Sequence, residues 1–327
     1  MKALLLMLLL GLGSSLAAQE LKIATIAPDG SSWMNELRQA GDEIAARSDN
    51  RIRVRYYPGG VMGDASAVLR RMRLGQLQGG AFTLGDLAQV SDVVNLYSLP
   101  FVFADEQELL RLRREFDPLI IQGLAEAGII VPGLSLGGFA YLFSRQPFPD
   151  STELSTSWRV WVPAGDVLSR RTLEKAGVTP VPLPLAEVYT ALQTGAINTF
   201  ASTPSAAIIL QWHSRARHML DLPVLMTVGT IGLDQRAMSR LAASDRNIVL
   251  DAFAATLERV EQTNREDNFQ ALKAIQRQGI TVKIPGGGQV EAWQALASRT
   301  RQEMFDSGQI SVPHLERLES ALERIRD

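Results

Sequence analysis

In RIRVRYY, Ile52, Val54 and Tyr56 alternate with Arg51, Arg53 and Arg55, and the run breaks at Pro58-Gly59-Gly60. Alternation with period two predicts a half-buried strand whose arginines form a solvated face. The segment before it has a different period. From about Trp33 to Arg47, residues Trp33, Leu37, Ala40 and Ile44 share one face of a helix, after a short apolar strand (Leu21 to Ala27) and the turn residues PDGSS. A helix near Asp64 to Leu74 ending at Gly75, the short strand GGAFT, and a helix from Asp105 to Ala127 come next. GIIVPGLSLGG then leads into the strand-like FAYLFS. Beyond a polar, proline-containing crossover from Gln146 to Ser157, the alternation repeats. It runs WRVWV, a helix from about Val167 to Ala176, VTPVPLP, a helix around Glu187 to Thr194, and AINTFAS. Strands alternating with helices in this way predict an α/β fold.

Ala243 to Gln278 contains no proline or glycine, and Gly279 closes it. One continuous helix there would be about 36 residues and roughly 54 Å long, more than one small lobe needs. At 327 residues, two lobes are expected, braced by that helix. We place lobe I at 19–143 with a return segment near 229–262, and lobe II at 144–228 with a C-terminal segment near 263–327. A ligand cleft is expected between them.

The first residues are set apart. Lys2 precedes an apolar run from Ala3 to Leu12, followed by small residues including Ala17 and Ala18, the three regions of a secretory signal over 1–18. The run is shorter than the roughly 20 residues of a spanning helix. The mature chain is therefore expected to be exported to the periplasm and soluble. It has no cysteine, which excludes a lipobox, disulfides, thiol catalysis and cysteine metal sites. A net charge of -2 with both signs scattered offers no basic stripe for nucleic acid.

Catalytic patterns are weak. Gly133-Leu134-Ser135-Leu136-Gly137 fits G-x-S-x-G, with His213, His218 and His314 downstream, but a nucleophile elbow needs a strand before the serine and a helix after it. The following FAYLFS reads as a strand, so an esterase on Ser135 is the minor alternative. His213 and His218 are five apart and do not stack on one helical face as a zinc pair would. Gly286-Gly287-Gly288 lacks the Lys and Ser or Thr of a phosphate-binding loop. No cofactor motif is present and no enzyme signature survives.

The run TPVPLPLAEVYTALQTGAINTF, with WRVWVP before it and MGDASAVLRRMRLGQL, YYPGGVMGD and LYSLPFVF upstream, resembles the DctP family, the solute-binding subunits of tripartite ATP-independent periplasmic (TRAP) transporters. The AEVYTALQTG core carries most of the resemblance, which covers nearly the whole mature chain. It implies a two-lobed binding protein that closes over a small organic solute and delivers it to membrane permease subunits. For some members it also implies a helical-repeat periplasmic partner. A periplasmic ligand sensor is the alternative the sequence leaves open.

The resemblance also implies where the pocket should be. Family members that bind carboxylates usually carry an arginine where Trp161 stands, and Arg159 is the neighbouring basic position. Another arginine often follows Gly-Phe where this chain has Ala140, and D-G-Q-E-N-P is replaced around Asn198 to Pro204. These departures imply a ligand less anionic or more apolar than a C4-dicarboxylate, packed against Trp161 and Phe200. Ser202, Trp33 and Thr83 are further candidates at loops leaving strands. Each has a structural alternative: Trp161, Phe200 and Trp33 as core fillers, and Ser202 or Thr203 as an N-cap before Pro204.

Overall fold

Strands β1 (Gln19–Ala24) and β2 (Ile52–Tyr57) lie parallel in register, Leu21 beside Val54. The structure is a computed structural model describing residues 18–150, 156–308 and 311–326. Most of the expected signal segment and residues 151–155 of the crossover lie outside the described residues. Between β1 and β2 runs α1 (Ser32–Arg47), whose first turn is capped by the Ser31 hydroxyl accepting from the Met34 N–H. Its buried stripe is Met34, Leu37, Ala40 and Ile44. Met34 therefore heads the stripe expected of Trp33, which sits half-buried beside it.

The first half continues with α2 (Ala65–Arg73), β3 (Gly79–Thr83), α3 (Leu84–Leu87), α4 (Asn95–Ser98), α5 (Glu106–Glu126) and β4 (Ile129–Ile130). Next comes β5 (Ser135–Ser144). The second half holds β6 (Arg159–Pro163), α6 (Val167–Lys175), β7 (Thr179–Leu183), α7 (Val188–Thr194), β8 (Thr199–Ser202) and α8 (Pro204–Ile209). The chain returns through β9 (His218–Asp234), α9 (Gln235–Ser239) and α10 (Ala243–Arg277), then ends in β10 (Thr281–Lys283), α11 (Gly287–Asp306) and α12 (Leu315–Arg326).

The sheet order is β2-β1-β3-β9-β5-β8-β6-β7, with β4 and β10 also pairing β9. Parallel triplets at either end are thus joined by two long antiparallel strands, β5 and β9. Helix α10, at 35 residues, buries Val249, Ala252, Phe253 and Leu257 in the first-half core and Ile275 in the second-half core. It is the long brace across both halves. Of the C-terminal segment expected with lobe II, α11 packs on α6, whereas α12 packs on α5 and buries Leu315, Leu318 and Leu322 in the first-half core.

Candidate functional site

Strand register locates a cleft without reference to any ligand. Strand β3 ends at Thr83, opposite Gly229, which itself pairs with Ser135 at the start of β5. Strand β8 ends at Ser202, opposite Tyr141 of β5. Because β3 and β8 run in opposite directions, their carboxyl ends face each other across residues 136–140 of β5 and 225–228 of β9. Five strand residues span about 17 Å, room for a small solute. Open α/β sheets place ligands at the carboxyl ends of their strands, and here two such ends converge.

The cleft floor is irregular for identifiable reasons. The β5–β9 register shifts between Leu136 and Gly138 and again between Ala140 and Leu142. Gly138 has φ +99°, and a Cβ there would lie 2.5 Å from Asn268 Nδ2, so both backbone and space require glycine. Behind the floor, α10 donates from Asn264 Nδ2 to the Leu136 carbonyl (3.0 Å) and from Asn268 Nδ2 to the Gly137 carbonyl (2.8 Å). Asn268 Oδ1 also accepts from the Ser205 backbone N–H and hydroxyl, tying the start of α8 to the floor.

The candidate residues separate once placed on this frame. Phe200 is wholly buried, stacked on Phe143 at 5.2 Å and edge-on to Trp212 at 5.4 Å, which places it in the second-half core. Trp161 joins the same cluster against Trp212, and its indole N–H donates to the Leu183 carbonyl at 3.0 Å. That donor is spent inside the lobe. Arg159 lies at the opposite end of β6 from the cleft, donating to the Gly195 and Ala196 carbonyls at the end of α7. There it offsets the negative end of that helix. Thr203, not Ser202, caps α8 by accepting from the Ala206 N–H, with Pro204 at the first helical position. Ser202 at the end of β8, Thr83 at the end of β3 and Ala140 on the floor are at the cleft by position. Trp33 follows the loop leaving β1. Ser135 opens β5 rather than a helix, so G-x-S-x-G forms no elbow, and its buried hydroxyl has no partner among the described residues.

Sequence reasoning passed over the acidic groups of this cleft. Asp86 accepts from the Thr83 backbone N–H and hydroxyl, both at 2.8 Å, closing a capping box on α3. Asp166 caps α6 by accepting from the Ser169 N–H at 2.9 Å. Burial pushes both carboxyls above the ordinary carboxylate range, against the opposing hydrogen bonds. Both were legible as caps, from Thr-x-x-Asp and from Asp before a helix, but not as cleft groups. The segments leaving β1, β2, β3, β6, β7 and β8 (25–31, 58–63, 83–87, 163–167, 183–187 and 202–205) contain no lysine or arginine.

Asn caps a helix as well as Asp does, so Asp166→Asn should leave stability within a few tenths of a kcal/mol at low pH, while Asp166→Ala costs about 1 kcal/mol. A carboxyl with a raised folded pKa contributes most below its unfolded value near pH 4 and loses that contribution as pH rises through the folded value. The Asn variant should therefore gain on the natural chain as pH rises above about 4. Urea unfolding across that range checks it; parallel pH profiles would show Asp166 to be solvated.

The model for bacterial extracellular solute-binding proteins, family 7 (DctP), matches residues 23–307. The sialic acid-binding periplasmic protein SiaP of Vibrio cholerae is 23% identical over 275 residues, covering 82% of this chain and 84% of that protein. The C4-dicarboxylate-binding periplasmic protein DctP of Rhodobacter capsulatus is 22% identical over 273 residues, covering 81% of this chain and 80% of that protein. Among solved structures, a TRAP periplasmic solute-binding protein from Roseobacter denitrificans with bound β-D-glucuronate superposes with a TM-score of 0.85 at 20% identity. It covers 93% of this chain and 99% of that one.

Proposed function

This chain belongs to family 7 of the bacterial extracellular solute-binding proteins, the DctP family of TRAP solute-binding subunits, and from that premise we propose that it captures a small, neutral or largely apolar solute in the cleft between its two halves. The binding event is closure of those halves in the periplasm, after which the loaded protein delivers the solute to membrane permease subunits. No helix among the described residues is long and apolar enough to cross a membrane. We assign lobe I to 19–143 and 229–262 together with α12, and lobe II to 144–228 and the remainder of the C-terminal segment.

The charge of the strand-end segments carries the ligand reading. They supply Asp29, Asp86, Asp166 and Glu187 and no cation. Asp29 is paired with Arg38. The dicarboxylate, sialic acid and glucuronate named for the relatives and the structural neighbour are acids. An acid entering this cleft would be desolvated without a strand-end guanidinium to receive it, and would meet two carboxyls. Phe139, half-buried on the floor strand β5, offers apolar surface of the kind expected of Trp161 and Phe200.

Thermal-shift screening of the mature protein tests this. At 100 times its dissociation constant a ligand stabilises the fold by about 2.7 kcal/mol. Neutral, branched or aromatic solutes should raise the midpoint, while C4-dicarboxylates and uronates leave it unchanged. Binding of a uronate or dicarboxylate tighter than about 10 μM, some 7 kcal/mol, would show that a cation reaches the cleft from elsewhere and would overturn the ligand assignment.

A further inference from the structure

A second concave site lies at the far end of the second half, where β6 and β8 begin, and it has the opposite charge to the cleft. A cavity of about 490 Å³ is lined by Arg145, His213, Ser214, Arg215, Arg217 and Gln278, among others, and no carboxylate lines it. The backbone places it firmly. The Arg217 N–H donates to the Ser144 carbonyl and the Arg145 N–H to the Asn198 carbonyl, at the amino end of β8. The cleft adjoins the carboxyl end of that strand. The site rests on these contacts and is independent of the solute reading.

Three arginines there are under-used. Each guanidinium carries five N–H donors. Yet the only side-chain hydrogen bonds these three make among the described residues are Arg145 to the Leu192 carbonyl and Arg215 to the Tyr189 hydroxyl. None forms an ion pair among those residues, and Arg215 Nε is buried without a partner. Most cations of this chain that approach another group meet carboxylates, as Arg51 meets Asp245 and Arg259 meets Glu36. Here like charges converge on a cavity, an arrangement that costs repulsion unless an anion enters. His213 Nδ1 donates to the Ala207 carbonyl, which leaves Nε2 as an acceptor or, once protonated, a further donor.

We propose that this cavity is an anion-binding site for a phosphoryl group, separate from the solute cleft, with Arg215 and Arg217 as its principal donors and Arg145 completing the cradle. Planar guanidinium forks match tetrahedral oxyanions, and three of them set the site apart from a single surface charge. The phosphoryl group could be carried by free phosphate or by an anionic lipid headgroup at the membrane the protein must approach. The chemistry is shared.

The full mature chain is titrated calorimetrically with inorganic phosphate at low ionic strength, and separately sedimented with phosphatidylglycerol or phosphatidylcholine vesicles. Phosphate binding, or retention on phosphatidylglycerol and not on phosphatidylcholine, is expected, and which arm responds identifies the source. Arg217→Gln alters an exposed side chain and should weaken the response on the order of tenfold while the unfolding midpoint without ligand stays in place. Arg215→Gln should weaken it at least as much; should it unfold the chain, Arg217→Gln decides alone. No response in either arm, or a response unchanged by Arg217→Gln, overturns the site.

Discussion

Phe200→Ala is expected to destabilise the protein by about 3–5 kcal/mol, the cost of removing a large ring from a packed core and leaving a cavity behind. Phe200 has no exposed surface, lies parallel to Phe143 with 8° between ring planes, and meets Trp212 edge-on. Trp161 completes the cluster from the next strand. Neighbours locked by this mutual packing can close only part of the void. Denaturant unfolding should show a lower midpoint with an unchanged slope. A loss below about 1 kcal/mol, accompanied by weaker solute binding, would return Phe200 to the cleft wall.

The second large effect is expected at Glu261, on α10. Its Oε2 accepts from Arg113 Nη1 at 2.7 Å and from the Leu136 N–H at 3.0 Å, and its Oε1 accepts from Arg265 Nη2 at 2.8 Å. Arg113 also donates to Asp117 and to the Leu134 carbonyl, and Tyr97 donates to Asp117. One carboxylate thus joins α10, α5 and the start of the cleft floor. Glu261→Ala orphans a buried N–H and leaves Arg113 with one anionic partner, so the loss should be about 3 kcal/mol. Glu261→Gln, which keeps an acceptor, should cost less. Replacing Arg113 and Glu261 together with apolar residues should cost less than the sum of the single changes, a coupling that a double-mutant cycle measures. Additive losses would show that the two residues do not act as a pair.

Much of the architecture was legible because it is written locally. The period of Ile52, Val54 and Tyr56, the stripe along α1, and the uninterrupted run that became α10 each record which face of one element is buried. A cap before Pro204 was legible for the same reason, since it needs only its own turn, but the choice of Thr203 over Ser202 came from the structure. Periodicity could assign Trp33 to a face but not distinguish it from adjacent Met34, since one helical step separates the stripe's centre from its edge.

The site was legible only in outline. An apolar side chain at the end of a strand satisfies the same pattern whether it meets a ligand or another ring. Trp161 and Phe200 therefore read alike as pocket or core until Trp212, from a distant turn, was seen to fill the space between them. Arg159 looked like a ligand cation because nothing local shows that its guanidinium reaches the end of α7. The sequence alone determined the α/β class, the long brace and the absence of cysteine chemistry. Tertiary structure decided where the strand ends meet, which carboxyls lie there, and where Arg145, Arg215 and Arg217 converge. Periodicity is set by neighbours three or four residues away, whereas a cleft is set by the register of β5 against β8 and β9, partners up to about a hundred residues apart, which no local pattern encodes.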